Sequence, residues 1–270
     1  MPGSDELALG LSAWGTARAD LAEAAALRKQ LPSWAPEDAR GHFLKHADEQ
    51  TIVAVAAVDR AIRGASLDMG KLRDWSIVAA PRFIGRLAGV TTLQRFSRGG
   101  GPAISPHVIP QHSLHSVSGA LSILLASRRP NLGVGGGADS LAEGLLAAVT
   151  LPRSEAQAGM WLIATAWDPE PVIDLQGNCL NVPVCYAAAL ALQSAVGGSS
   201  LGSLHLETLG SRSAAGAREK TSPVGVPQLC RSLDSLSTGF GRGVLRWPVP
   251  GGAELVLHID AAKAELAAAA

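Results

Sequence analysis

The sequence predicts an α/β fold, with a mostly parallel sheet carrying helices on its faces and a small β-rich extension at the C-terminal end. Three observations predict it. Apolar runs of strand length, WSIVAAP and AGMWLIATAW, alternate with segments whose apolar residues recur at three and four spacing. The stretch PNLGVGGGADSLAEGLLAAV, Pro130–Val149, reads as a short strand, a glycine-rich turn and a helix. Of 270 residues, 47% are hydrophobic and 17% charged, so the chain has the material for a buried core and not the composition of a disordered one.

Taken in order, ARADLAEAAALRKQ (Ala17–Gln30) is built from strong helix formers, and the two prolines of LPSWAPEDARG then mark a loop. EQTIVAVAAVDRAIRGASLD has helical apolar spacing up to Gly64, and WSIVAAP is a buried strand closed by Pro81. SRGGGPAISPHVIP is a loop. From Gln111 to Ser127, Leu114, Val117, Leu121, Leu124 and Leu125 define one helix, which ends at Arg128–Arg129 before Pro130 forbids continuation.

Asn131–Val134 is the next strand. Ser140 and Glu143 stand at capping-box spacing before LLAAV, placing a helix start at Ser140. AGMWLIATAW is a buried strand, and VPVCYAAALALQSAV fits a long strand or a strand passing into a helix. Residues 1–196 are expected to form the main domain. Residues 197–240 read as a mobile Gly/Ser-rich segment, with GSRSAAGAREKTSPVG the most linker-like piece. Residues 241–270 read as two strands turning at Pro250, Gly251 and Gly252, then an alanine-rich tail.

Charge excludes some functions. Lys+Arg and Asp+Glu both number 23, so no net field draws in nucleic acid or an anionic membrane. The start, MPGSDELALG, lacks signal-peptide features and no apolar run approaches a membrane span, so a cytoplasmic protein is expected. Cys179, Cys185 and Cys230 are too few and irregularly spaced for a disulfide framework or zinc site and are expected to be reduced thiols.

The glycine turn admits two enzymatic readings. Gly133–Ala138 fits G-x-G-x-x-A ahead of a helix, as in an oxidoreductase binding a dinucleotide, but no acid is seen to close the following strand where a ribose would need it. A nucleophile elbow would instead use Asp139 or Ser140, as in a hydrolase, although capping accounts for both more simply. His112 and His115, with His107 nearby, would share one face of the predicted helix; without a carboxylate or thiolate at a fixed offset they predict no metal site. His205 and His258 sit in strand-like surroundings and read as structural.

The run SPHVIPQHSLHSVSGALSILLASRRPNLGVGGGADS resembles the β-ketoacyl-ACP synthase family. Ser105-Pro106 and Pro110 give its S-P-x-x-x-P; Gly119, Pro130-Asn131 and Val134 follow its helix and strand leading to the motif centred on the catalytic cysteine. The likeness covers roughly Ile52–Trp167. In that register Ala138 occupies the cysteine position, and neither of the family's two histidine motifs is found in the second half. An alanine has no lone pair with which to attack a thioester.

The resemblance therefore implies a thiolase-like half-fold, with residues 1–196 as its N-terminal domain, of the chain-length-factor kind seen with aryl polyene biosynthesis. It implies a noncatalytic subunit in a heterodimer with an active β-ketoacyl-ACP synthase, reaching acyl carrier protein through that partner and needing no cofactor or metal. Asn131, Leu132, Gly133, Val134 and Gly135 would lie at the dimer interface. Gln111, His112, Ser113, His115 and Ser116 would face the partner's acyl pocket, with Ser113 touching the growing chain. The alternatives are the stand-alone oxidoreductase or hydrolase, and an interaction scaffold with no pocket role.

Overall fold

The computed structural model describes residues 8–30, 32–36, 44–106, 108–151, 158–174, 176–194, 200–208, 224–237 and 241–260. His107, most of GSRSAAGAREKTSPVG and the alanine-rich tail lie outside the described residues. Eight strands, β1 (Ala8–Ala19), β2 (Trp75–Pro81), β3 (Asn131–Gly133), β4 (Gly159–Asp168), β5 (Val184–Ser194), β6 (Gly202–Thr208), β7 (Arg242–Val249) and β8 (Ala253–Asp260), form one sheet in the order β3-β2-β4-β5-β1-β6-β8-β7.

The α/β class holds, but the sheet is mixed, which corrects the expectation of a mostly parallel one. Only β2–β3 and β2–β4 pair in parallel; the other pairings are antiparallel. Parallel neighbours need a crossover, and helices lie between β2 and β3 and between β3 and β4. After β4 the chain reaches β5 without a helix, and β7 joins β8 through the tight turn expected at Pro250–Gly252, so these pairs are antiparallel. Because β5 is antiparallel to both β1 and β4, strands β1 to β4 still share one direction.

The C-terminal strands are not a separate appendage. β6, β8 and β7 continue the same sheet beyond β1, and within 197–240, read from sequence as a mobile segment, lie β6 and the helix α8 (Val226–Ser237), which buries Leu229, Cys230 and Leu233. Short polar residues hid a helix whose apolar positions recur at helical spacing.

Both faces of the sheet are covered over β1 to β5. One carries α1 (Leu21–Leu27), α2 (Glu49–Gly64) and α6 (Ser116–Leu124), packed on Ala13, Ala17, Ile77, Ala79, Trp161, Ile163, Ala187, Ala189 and Ala191. The other carries α7 (Ser140–Thr150) and α8 on Leu9, Leu11, Val78, Leu162, Leu190 and Leu192. Alternation along a strand separates the two sets. In β1 the register shifts between Leu11 and Ala13, so a bulge passes the inward residues from the second core to the first. Gly15 comes soon after it, where a Cβ would overlap the Ala57 carbonyl of α2. Small residues on both sides let that helix lie almost on the sheet.

Three other expectations need correcting. β1 runs to Ala19, leaving only Leu21–Leu27 helical of the predicted Ala17–Gln30, because Asp20 and Glu23 close a capping box there. The single helix over Gln111–Ser127 is two, α5 (Val108–His112) and α6, with Leu114 exposed in the break and His112 and His115 on different elements. The helix at Ser140 exists without its capping box: Asp139 is the N-cap and makes no side-chain capping bond, while Ser140 is the first helical residue and is buried. α3 (Met69–Leu72) and α4 (Arg86–Gly99) complete the helices of the described residues, with a 3-10 turn at Gly101–Ala103.

Candidate functional site

Parallel strands collect their C-terminal ends on one edge of the sheet, where sites in α/β proteins gather. Here β2, β3 and β4 end at Pro81, Gly133 and Asp168. Backbone hydrogen bonds tie the segments leaving these strands to their neighbours: Arg82 N donates to Thr165 O at 2.8 Å, Val134 N to Ala79 O at 2.8 Å, and Phe83 N to Gly136 O at 3.1 Å. The 112–115 segment between α5 and α6 is wedged against these strand ends. A Cβ on Gly85 (φ +75°) would stand 2.7 Å from His112 O, one on Gly136 (φ +99°) 2.7 Å from Leu114 Cδ2, and one on Gly133 would overlap the Leu114 carbonyl. Glycine is required at each close approach. Of the predicted pocket residues, Gln111, His112 and Ser113 are half-buried, His115 is exposed and Ser116 is buried.

Under this wedge lies a polar network that sequence reasoning missed. The Asp48 carboxylate, 3% exposed, caps α2 by accepting from Gln50 N at 2.8 Å and accepts from Gly85 N at 3.1 Å. Its Oδ2 also lies 3.5 Å from His112 Nδ1. Gln50 donates to Arg82 O at 3.0 Å and accepts from the Thr165 hydroxyl at 2.6 Å. The network thus joins the start of α2, the ends of β2 and β4, and the end of α5. Residues so far apart in sequence leave no local motif; a run of polar side chains at the head of an otherwise apolar helix was the available signal.

Farther out, Glu170 pairs with Arg86 at 3.1 Å and lies 3.5 Å from Arg82 Nε, and both guanidiniums stand over the Phe83 ring, 5.0 and 5.3 Å from its centroid. Burial raises the Glu170 carboxyl, opposed by those two arginines. Burial and the neighbouring Asp48 raise Glu49, which pairs with Arg28 at 3.1 Å.

Ala138 sits exposed at the glycine turn, two residues before the first residue of α7. Two of the thiols elsewhere, Cys185 and Cys230, are poor nucleophiles by position. Cys185 is buried and its thiol is held well above the ordinary value by desolvation, and Cys230 is pushed up to about 12 by the same cause. All three cysteines are free, as expected. The structure does supply an acid closing the strand after the glycine turn, Asp168, which sequence reasoning did not find. β2 separates β3 from β4, however, so Asp168 lies two strands from the glycine turn, one strand spacing, roughly 5 Å, beyond the adjacent strand where a dinucleotide loop would need it.

The same corner of the molecule is apolar on its outside. β3 is the edge of the sheet, Leu132 on it is 39% exposed, and Leu114 and Ile123 are exposed beside it. α4 buries none of its residues and exposes Leu93 and Phe96; Ile109 on α5 is also exposed. Asn131 Oδ1 is buried without a hydrogen-bond partner among the described residues. His205 and His258 lie on β6 and β8 as their surroundings predicted, and His205 pairs with Ala8, the opposite end of β1 from the strand ends above.

No protein-family model matches the chain, and no curated protein does. Solved structures match it across nearly its whole length. An ishigamide ketosynthase/chain length factor structure superposes with TM-score 0.57 at 15% identity, over 93% of this chain and 99% of that one. A type II polyketide synthase acyl-carrier protein in complex with its ketosynthase (AntDE:AntF) gives 0.56 at 12% identity, over 94% and 99%. The complex of a ketosynthase (ApeO) with its chain length factor (ApeC) from Xenorhabdus doucetiae gives 0.52 at 18% identity, over 92% and 98%. The match thus extends well past the Ile52–Trp167 stretch that carries the sequence resemblance. No described helix is long and apolar enough to cross a membrane. At these identities the likeness establishes the fold, and this chain has the thiolase-like α/β fold of ketosynthases and chain length factors.

Proposed function

We propose that this chain is a noncatalytic, chain-length-factor-type subunit that pairs with an active β-ketoacyl-ACP synthase and shapes its acyl tunnel, in fatty acid, polyketide or aryl polyene biosynthesis. The observation that carries the reading is Ala138. It stands between the short strand β3 and the helix α7, at the turn where the resembling family holds its cysteine, and a methyl group there performs no acyl transfer. What remains useful in such a chain is its surface. The exposed apolar corner around Leu132, Ile123 and the unburied helix α4 supports an obligate partner, since exposed apolar area of this kind mostly marks an interface. In this reading Asn131–Gly135 meets the partner.

The 111–116 segment is the part of this chain that reaches toward the partner's pocket. Its wedging by Gly85, Gly133 and Gly136 gives it a fixed position, as a tunnel wall requires. An apolar chain extends until it meets that wall, and each methylene gained or excluded is worth about 0.8 kcal/mol. Small residues at Ser113 and Ser116 suit a longer product. Carrier protein reaches the complex through the active partner, and no cofactor enters this reading.

Against the hydrolase alternative, Ser140 is buried; Asp139 is exposed and makes no side-chain capping bond, so capping does not account for it. Against the oxidoreductase alternative stands Asp168, which lies one strand farther from the glycine turn than a dinucleotide loop needs. Co-expression with candidate ketosynthases, with copurification and product analysis, tests the proposal. A stable complex is expected, with shorter products from Ser113→Phe. A complex whose products keep their length would leave only the scaffold reading, and acyl loading of the isolated chain from acyl or malonyl carriers would overturn the noncatalytic one.

A further inference from the structure

The sheet extension has one face on the second core and one face outside it. Leu204, Leu255, Leu257 and Trp247 point inward, and alternation puts His205 and Glu207 of β6, Val256 and His258 of β8 and Arg246 of β7 on the outer face. Ser203 pairs with His258 and His205 with Val256, so the two histidines are diagonal neighbours; their rings stack with centroids 5.2 Å apart and planes within 4°. His205 Nε2 lies 3.0 Å from Glu207 Oε1. One ligand atom each from His205, Glu207 and His258 lie within 4.8 Å of one another.

We propose that His205, Glu207 and His258 form a binding site for a divalent transition-metal ion of the zinc class. Two imidazoles and one carboxylate are borderline ligands, suited to zinc, cobalt, nickel or copper and not to calcium or magnesium, which take oxygen ligands. Bonds of about 2.0–2.1 Å put tetrahedral ligand atoms roughly 3.4 Å apart, so side-chain torsions alone bring these three into place. The backbone beneath is held. β6 is paired on both edges by β1 and β8, and β8 by β6 and β7.

Glu207 is already oriented for the task. Its Oε2 accepts from Arg246 at 2.8 Å, leaving Oε1 for His205, and Arg246 is shared with Glu254 at 3.2 Å, which offsets its charge. This is the outer support that a ligating carboxylate needs. The ion takes the place of the proton between His205 Nε2 and Glu207 Oε1, and the neutral imidazole then carries its one ring proton on Nδ1. Three protein ligands leave a fourth coordination position to water.

Titration of zinc chloride into the untagged full-length chain, monitored by calorimetry, tests this. One ion per chain is expected, with affinity that falls at lower pH as protons compete for the ligands. Glu207→Gln should weaken binding about tenfold or more, and His205→Ala with His258→Ala should abolish it while leaving the metal-free melting temperature close to that of the parent. No binding, or undiminished binding in the double variant, would overturn the proposal. If the double variant does not fold, the cobalt-loaded parent protein decides: tetrahedral d–d bands without sulfur charge transfer are expected, and a thiolate charge-transfer band would place the ion on a cysteine instead.

Discussion

Gly133, the last residue of the edge strand β3, approaches the Leu114 carbonyl so closely that only a hydrogen fits on its Cα. That one contact joins the proposed partner-facing strand to the proposed tunnel-facing segment, so neither moves without the other. Gly133→Ala should overpack the junction and cost about 1–3 kcal/mol in chemical denaturation. Gly137→Ala, four residues on, faces open space and should be near neutral. Equal effects at the two positions would show that the junction is not tight.

Leu132→Asp separates fold from pairing. The side chain is 39% exposed on an edge strand, so a carboxylate there is solvated in the isolated chain and its melting temperature should change little. In a complex built on β3 the same charge is desolvated and unpaired, and copurification with the ketosynthase should be lost. Retained pairing would move the interface elsewhere on the surface.

Glu49 predicts a pH dependence of stability. Burial, then the adjacent Asp48, raises its folded pKa above the unfolded value. The folded state therefore binds its proton more tightly, and the stabilisation is complete below the ordinary carboxylate value and lost as pH rises through the raised one. Glu49→Gln removes this term along with the Arg28 ion pair. Relative to the parent, the variant's melting temperature should improve as pH rises across that window and level off above it. A difference independent of pH would reject the assignment.

Much of the architecture was legible because it rests on local pattern. The apolar spacing of Glu49–Gly64, the all-apolar WSIVAAP and the turn at Pro250–Gly252 each carry their structure in a short window. β1 was not seen, since ALGLSAWGTARA is rich in alanine and glycine, residues with weak strand preference that are chosen for close packing under α2. α4 was missed for the opposite reason: it buries nothing in this chain, so no core stripe marks it. At the site, the short strand β3 ahead of the glycine turn was readable from its local pattern, whereas Asp48, Gln50 and Thr165 meet only in three dimensions, across sequence separations that no periodicity spans.

Ala138→Cys tests the proposed noncatalytic reading at the position that the resemblance assigns to a cysteine. The position is exposed at the start of an eleven-residue helix, where the aligned peptide dipoles favour an anion. A thiol placed there should gain thiolate character and react with iodoacetamide faster than the buried Cys185 and Cys230, whose desolvation holds them protonated. Condensation needs more, because decarboxylation of an extender unit requires groups that stabilise the developing enolate, and the two histidine motifs of the resembling family are absent from this sequence. Mass spectrometry should therefore detect alkylation after iodoacetamide and, after incubation with acyl carriers, at most slow acylation without any elongated product. An elongated product from the single variant would show that this corner of the fold still holds the rest of a synthase's machinery.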